Sequence, residues 1–209
     1  MIINQIWISD DPTPSAVVEQ AKKNEIAALS AGFKYQFWEK SNFLKILSKA
    51  DINRMEAMKN DVAKCDFARY LALKKNKGIY IDMDDWMHFT KKHKEEYFIS
   101  RLQGGEGFIV NGILHIPEEV IDCVLKKARA FIDRRGLGDA RAVGIAPLRH
   151  CINEIKFKHR YIKMGGGKWG DSAEMCSPGK VWGKPRGKAS WKDHINLWEE
   201  PKTLLEELS

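Results

Sequence analysis

An α/β fold, in which helices cover a parallel sheet, is what this 209-residue chain predicts. Three consecutive segments carry that expectation. INQIWI is a short apolar run that reads as a strand, and the turn-rich SDDPTPS ends it because its two prolines forbid continuation. AVVEQAKKNEIAAL follows with helical character, capped by Ser15 and stopped by Gly32, and FKYQFWE then reads as a second strand. Strand, helix, strand is the order that a parallel crossover produces.

Later segments extend the pattern. NFLKILSKADINRMEAM is helical. NDVAKCDFARYLALKKNK is the most regular helix: Asn60 or Asp61 caps it, Val62, Cys65, Tyr70 and Leu73 supply an apolar side, and Gly78 closes it. IYI then opens a strand. GFIVNGILHI reads as a strand pair or a strand and turn, and EEVIDCVLKKARAFIDRR as an amphipathic helix. Beyond residue 150 the sequence reads as irregular, with MGGGKWGDS and SPGKVWGKPRGKASW rich in glycine, lysine and tryptophan, followed by a short acidic helix, PKTLLEELS. One domain is expected over residues 1–209, with a core over 1–150 and, over 151–209, a basic mobile loop that folds over a ligand, then a tail.

A hydrophobic content of 44% with 10% aromatics is ordinary for a folded chain, and no run approaches the ~18 apolar residues of a membrane span. The N-terminus, MIINQIWISDDP, has an acidic pair and no basic region leading into a long apolar segment. It is therefore not expected to be a signal peptide, and the chain is expected to stay in the cytosol. Cysteines 65, 123, 151 and 176 form no CxxC pair, which argues against a zinc knuckle or a redox motif, and all four are expected to be free thiols. Net charge is +7, and residues 151–194 contribute +6 of it, ten Lys or Arg against four Asp or Glu. A basic field so localised suits an anionic partner, whether nucleic acid, membrane surface or diphosphate, or else is a solvated face.

The informative stretch is KGIYIDMDDW, residues 77–86, where three carboxylates follow a run that reads as a buried strand. Their mutual repulsion calls for a cation or a proton. Asp82 and Asp84 are two apart, so on an extended chain they share a face, while Asp85 faces away. Two such carboxylates at a strand's carboxyl end can hold one divalent ion, and open parallel sheets bind ligands at that edge; two exposed turn aspartates would be spelled the same way. Asp66 and Arg69, three apart on the preceding helix, can present an acceptor and a cation side by side, or form an ordinary surface ion pair.

Taken whole, AKCDFARYLALKKNKGIYIDMD resembles the DXD sugar-binding region of a glycosyltransferase family that includes yeast-type initiating mannosyltransferases, bacterial capsule enzymes and, more distantly, the large clostridial glucosylating toxins. The matching positions are Asp66, Arg69, Gly78, Tyr80, Asp82 and Asp84, with Cys65 where the family usually has Ser and Lys77 where it usually has Gly. INQIWI resembles the opening strand, whose last residue, here Trp7, stacks on the nucleotide base. FIVNGILHIPEEVIDCVLKKA resembles the segment whose Asn, here Asn111, reaches the donor sugar. GIAPL, residues 144–148, is a looser match to a glycine-proline turn. The resemblance covers roughly residues 1–150 and fades afterwards. Alone, Trp7 reads as core, Asn111 as a turn residue and Tyr80 as packing; their shared order is what joins them.

The resemblance implies a GT-A type fold, a Rossmann-like mixed sheet covered by helices, in a single domain. It implies a hexosyltransferase-type transfer, with retention, from a UDP- or GDP-sugar to a glycan, lipid-linked or protein acceptor. Mn²⁺ or Mg²⁺ would stabilise the departing diphosphate, with Asp84 as direct ligand and Asp82 shared between metal and ribose. Asp66 and Arg69 would hold the sugar hydroxyls, with Tyr80 and Asn111 beside them. SWKDHINLW offers Asp193 and His194 as a third metal ligand, and His194 is preferred. Lys180, Lys184, Arg186 and Lys188, interleaved with Trp182 and Trp191, would close over the diphosphate, Lys184 and Arg186 binding the donor. GGGK is not a P-loop, since Trp169 follows Lys168. No nucleophile is assigned for the retaining step.

Two rival readings differ in class. A haloacid-dehalogenase-type phosphatase also places DxD after an apolar strand, but it wants Thr or Val where Trp86 stands and a later acidic pair that is missing here. A basic nucleic-acid-binding module would use the charge and tryptophans of the last third, yet it explains nothing about Asp66, Arg69, Asp82 and Asp84.

Overall fold

The computed structural model describes residues 1–58, 61–83, 86–87, 89, 91–102, 109–135, 141–166 and 175–177. Among them the chain runs β1 (Ile2–Trp7), α1 (Ser15–Ser30), β2 (Lys34–Glu39), α2 (Lys40–Phe43), α3 (Lys49–Ala57), α4 (Asp61–Lys75), β3 (Gly78–Ile81), β4 (Trp86–Met87), β5 (Phe98–Leu102), β6 (Ile109–His115), α5 (Glu118–Arg135), α6 (Ala146–Ile155), β7 (Arg160–Gly166) and β8 (Met175–Ser177). None of the helices is long and apolar enough to cross a membrane among the described residues.

Six strands lie in the order β2-β1-β3-β6-β5-β7, and the short β8 and β4 continue from β7. β1 pairs parallel with both β2 and β3, while β6 runs antiparallel to β3 and β5. The sheet is therefore mixed. Gly78 is required at the start of β3, because a Cβ there would stand 2.1 Å from the Ile2 carbonyl oxygen of β1.

Period-two alternation divides the core between the two faces. Ile3, Ile79, Ile81 and Ile113 pack with Phe33 and Ala28 on the α1 side. Ile6, Tyr80 and Leu114 pack on the other side against α4 and α5, where Phe67, Ala68, Val120 and Val124 are fully buried. Burial of one such large side chain contributes about 1.5–3 kcal/mol. Helix α4 is enclosed from Phe67 to Leu73 on every side, more than the one-sided stripe its spacing predicts, because α5 and the turn before α6 cover the face turned from the sheet.

Several expectations are corrected. The stretch 42–58 is not one helix: a single 3-10 turn at Leu44–Ile46 is followed by extended Leu47, and Ser48 caps α3 by accepting from the Asp51 N–H at 3.2 Å. Ser15 is the first residue of α1 rather than its cap; Pro14 precedes it and makes no side-chain cap. GFIVNGILHI contributes one strand, β6. The region after 150 is not irregular throughout, since α6 runs on to Ile155 and β7 pairs with β5 over residues 160–164. Pro147 of GIAPL suggests a turn in sequence, but it stands in the first turn of α6, where proline is well tolerated.

The cysteines are corrected too. Cys123 of α5 and Cys151 of α6 form a disulfide with Cα atoms 5.9 Å apart, although 28 positions separate them in sequence. Packing of α5 on α6 creates that proximity, and no local spacing signals it. Asn60, Asp84, Asp85, Lys180, Trp182, Lys184, Arg186, Lys188, Trp191, Asp193, His194 and the helix expected at the C-terminus lie outside the described residues.

Candidate active site

Helix α4 turns Asp66 and Arg69 inward, where they are 7% and 4% exposed. They are thus not the surface pair that i,i+3 spacing alone allows. A carboxylate and a guanidinium persist in such a place only when each satisfies the other. Arg69 Nη2 pairs with Asp66 Oδ1, while Nη1 lies 3.3 Å from Asp82 Oδ1 and donates to the main-chain carbonyl of Asn111. The guanidinium carbon stands 4.9 Å from the centre of the Tyr80 ring. Burial alone would lower the pKa of Arg69, but the charges of Asp66 and Asp82 outweigh it and hold the group well above its ordinary value. Two carboxylates therefore meet one permanent cation.

Asp82 is held at three atoms by four partners. Its Oδ1 accepts from the Tyr80 hydroxyl at 2.7 Å as well as facing Arg69. Its N–H donates to the Gly112 carbonyl at 2.7 Å, and its carbonyl accepts from Gln5 Nε2 at 3.0 Å. Burial, with the adjacent Asp82 charge, pushes the Tyr80 phenol well above its ordinary pKa, so it remains a proton donor. Strand β3 closes at Ile81 and Met83 lies in a turn. Asp84, expected to share a face with Asp82, lies outside the described residues.

Asn111 sits within β6, 8% exposed, rather than in a turn. Its Nδ2 donates to Asp66 Oδ1 at 2.9 Å. Trp7 ends β1 at the same sheet edge as Asp82, since Asn4 of β1 lies opposite Tyr80 of β3. Partly buried, it packs on the cluster of Val17, Ala21 and Met83. Cys65, one residue before Asp66, is raised to about 11 by burial, which leaves its thiol protonated at neutral pH.

Sequence reasoning missed three contributors. Gln5, fully buried, holds the Asp82 carbonyl while its own Oε1 accepts from Asn24 Nδ2 at 3.1 Å and the Tyr35 hydroxyl at 2.7 Å. The Asn-Gln pair inside the apolar INQIWI was the available signal, because polar groups are kept in a buried strand only with partners. Tyr70 has the spacing of one more apolar position of α4, but its hydroxyl donates to the Gly144 carbonyl at 3.0 Å. Gly144 lies in a turn of π-helix, Arg141–Ile145, directly against Asp66 and Asn111.

Among the described residues no group of three or more His, Cys, Asp or Glu gathers to hold a metal ion. Asp82 supplies a hard carboxylate at the sheet edge with a side chain 26% exposed, a donor type that suits Mn²⁺ or Mg²⁺.

The fold is an α/β fold of the GT-A glycosyltransferase type: a solved structure titled PaToxG Glycosyltransferase matches with a TM-score of 0.54 at 16% identity, over 74% of this chain and 69% of that one. Residues 7–97, which span Trp7, Asp66, Arg69, Tyr80 and Asp82, match the family model described as glycosyltransferase sugar-binding region containing DXD motif. Over those residues the match bears out the resemblance drawn from the sequence. A protein of Acanthamoeba polyphaga mimivirus named as an uncharacterized glycosyltransferase is 36% identical over 87 residues, 40% of this chain and 34% of the relative. The match therefore spans about a third of that relative's length. A glycosyltransferase involved in the glycosylation of the major capsid of PBCV-1 aligns over 94% of this chain and 100% of its own at 12% identity, with a TM-score of 0.41 too low to bear on the fold.

Proposed function

We propose that this protein is a metal-dependent glycosyltransferase of the hexosyltransferase type, moving a sugar with retention from a UDP- or GDP-sugar to a glycan, lipid-linked or protein acceptor. One observation carries the reading: Asp66, Asp82 and Asn111, from a helix, a strand end and a second strand, converge on the single guanidinium of Arg69 at the carboxyl edge of β1 and β3. That edge is where open α/β sheets take their ligands.

In this reading Asp66, Arg69 and Asn111 orient the donor sugar, so that the anomeric carbon is held for attack. Trp7 lies under the base, and Tyr80 keeps Asp82 aimed at the ribose and the metal. Asp82, Asp84 and His194 would hold Mn²⁺ or Mg²⁺, which when bound neutralises charge on the departing diphosphate. Lys184 and Arg186 would add charge-assisted hydrogen bonds to the same phosphates. The whole of residues 1–209 then forms one catalytic domain. A phosphatase in which Asp82 is the nucleophile is disfavoured, because its Oδ1 is already engaged by Tyr80 and Arg69.

The test is a thermal-shift panel of UDP- and GDP-sugars with Mn²⁺, followed by donor hydrolysis by the best ligand. Asp84→Asn is expected to abolish most turnover and the Mn²⁺-dependent part of the stabilisation, with the unliganded melting temperature unchanged. Full activity in Asp84→Asn would overturn the metal assignment; a panel with no stabilising sugar nucleotide would overturn the transferase.

A further inference from the structure

We propose that Tyr70 and Gly144 form a clamp that orients the Asp66–Asn111 pair, making both positioning residues for the donor sugar. This rests on the reading of that pair as sugar-binding. Three observations converge on it.

Gly144 approaches the pair closer than any other residue type could. A Cβ on Gly144 would stand 2.7 Å from Asn111 Nδ2 and 2.8 Å from both Cγ and Oδ2 of Asp66. These are side-chain atoms of buried groups, already tied to each other and to Arg69, so they have little room to yield. The main chain of the turn is thus a wall against which the carboxylate and the amide rest.

Tyr70 holds that wall in place. Its hydroxyl donates to the Gly144 carbonyl at 3.0 Å, both groups being buried. Since Tyr70 follows Arg69 on α4, helix, turn and β6 meet around Asp66: Asn111 donates to Asp66, Gly144 lies against both, and Tyr70 holds Gly144. Finally, the turn leads straight into α6, which the Cys123–Cys151 disulfide ties to α5. The wall is therefore anchored at Gly144 by Tyr70 and just beyond it by α6.

Catalytic orientation demands more precision than binding does, so a small displacement of Asp66 and Asn111 should be felt at the sugar and not at the phosphates. For Gly144→Ala and Tyr70→Phe, the affinity for the nucleoside diphosphate with Mn²⁺ is compared with the KM and kcat of sugar-nucleotide hydrolysis. We expect kcat/KM to fall about tenfold or more while diphosphate affinity changes less than about twofold. Equal loss of both would assign the two residues to scaffold and overturn the clamp. Tyr70→Phe keeps the ring and decides the matter if Gly144→Ala does not fold.

A second readout needs no donor. In unliganded protein, solvent exchange of the Asn111 side-chain amide protons, followed by NMR, is expected to be about tenfold faster in Tyr70→Phe than in wild type. Unchanged exchange overturns the clamp. Faster exchange in a protein whose wild type recognises no sugar nucleotide upholds the clamp and overturns the transferase reading instead.

Discussion

Arg69 of α4 and Asp82 beyond β3 meet at 3.3 Å, with the same guanidinium also paired to Asp66 inside the protein. Removing the cation would leave Asp66 charged and buried without its Arg69 counter-ion. Arg69→Met is expected to cost about 3–5 kcal/mol in urea denaturation, the range for breaking a buried pair. Arg69→Lys keeps the charge but not the planar fork that reaches Asp66, Asp82 and the Asn111 carbonyl together. It should recover part of the stability and little of the donor hydrolysis.

Asp66 separates sugar recognition from scaffold. Asp66→Ala is expected to depress donor hydrolysis more than it weakens binding of the free nucleoside diphosphate, as measured by calorimetry. If both fall in step, the carboxylate serves only to neutralise Arg69.

Away from the site, Asp51 of α3 controls acid stability. Its carboxylate, 5% exposed as a residue, accepts from Arg129 Nε at 2.9 Å and Nη2 at 2.8 Å and from Arg54 Nη1 at 3.1 Å. Burial pushes its pKa up, but Arg129, Ser48 and Arg54 together prevail and the folded value lies below the ordinary 3.8. A depressed folded pKa stabilises fully above the unfolded value and less as pH falls through the folded one. Wild type should therefore lose stability below about pH 4, and Asp51→Asn should flatten that limb. At neutral pH the substitution is expected to cost roughly 1–3 kcal/mol, less than a fully enclosed pair because Arg129 is partly solvated. Melting temperatures across pH 3–7 (about one unit per step) would check both statements.

The Cys123–Cys151 bridge closes a 28-position separation between α5 and α6. Cys123→Ser, or reduction of the wild type, is expected to lower stability by about 2–4 kcal/mol. Thiol titration in denaturant should find two more thiols after reduction than before. Identical melting curves in the presence and absence of reductant would contradict it.

Much of this architecture was legible along the chain. Strand β1, helix α1 and strand β2 follow from local alternation and turn chemistry, which act over a few residues. The grouping of Asp66, Arg69, Tyr80, Asp82 and Asn111 came from the family resemblance, whose matched positions keep order and spacing, and these residues do come together.

What meets Asp82, the first of the carboxylates after β3, was not readable. Asp66 and Arg69 at i,i+3 allow a solvated surface pair as easily as a buried one. Only the packing of α4 between the sheet, α5 and the 141–145 turn removes water, and it is this desolvation that binds Arg69 to two carboxylates at once. The same holds for Gln5 on the Asp82 carbonyl, Gly144 against Asp66, and the disulfide. Each depends on distances between segments far apart in sequence, and local propensity carries no information about those distances. The chain determined which chemical groups were present and in what order; tertiary packing decided which of them lost their water, and so which had to satisfy one another.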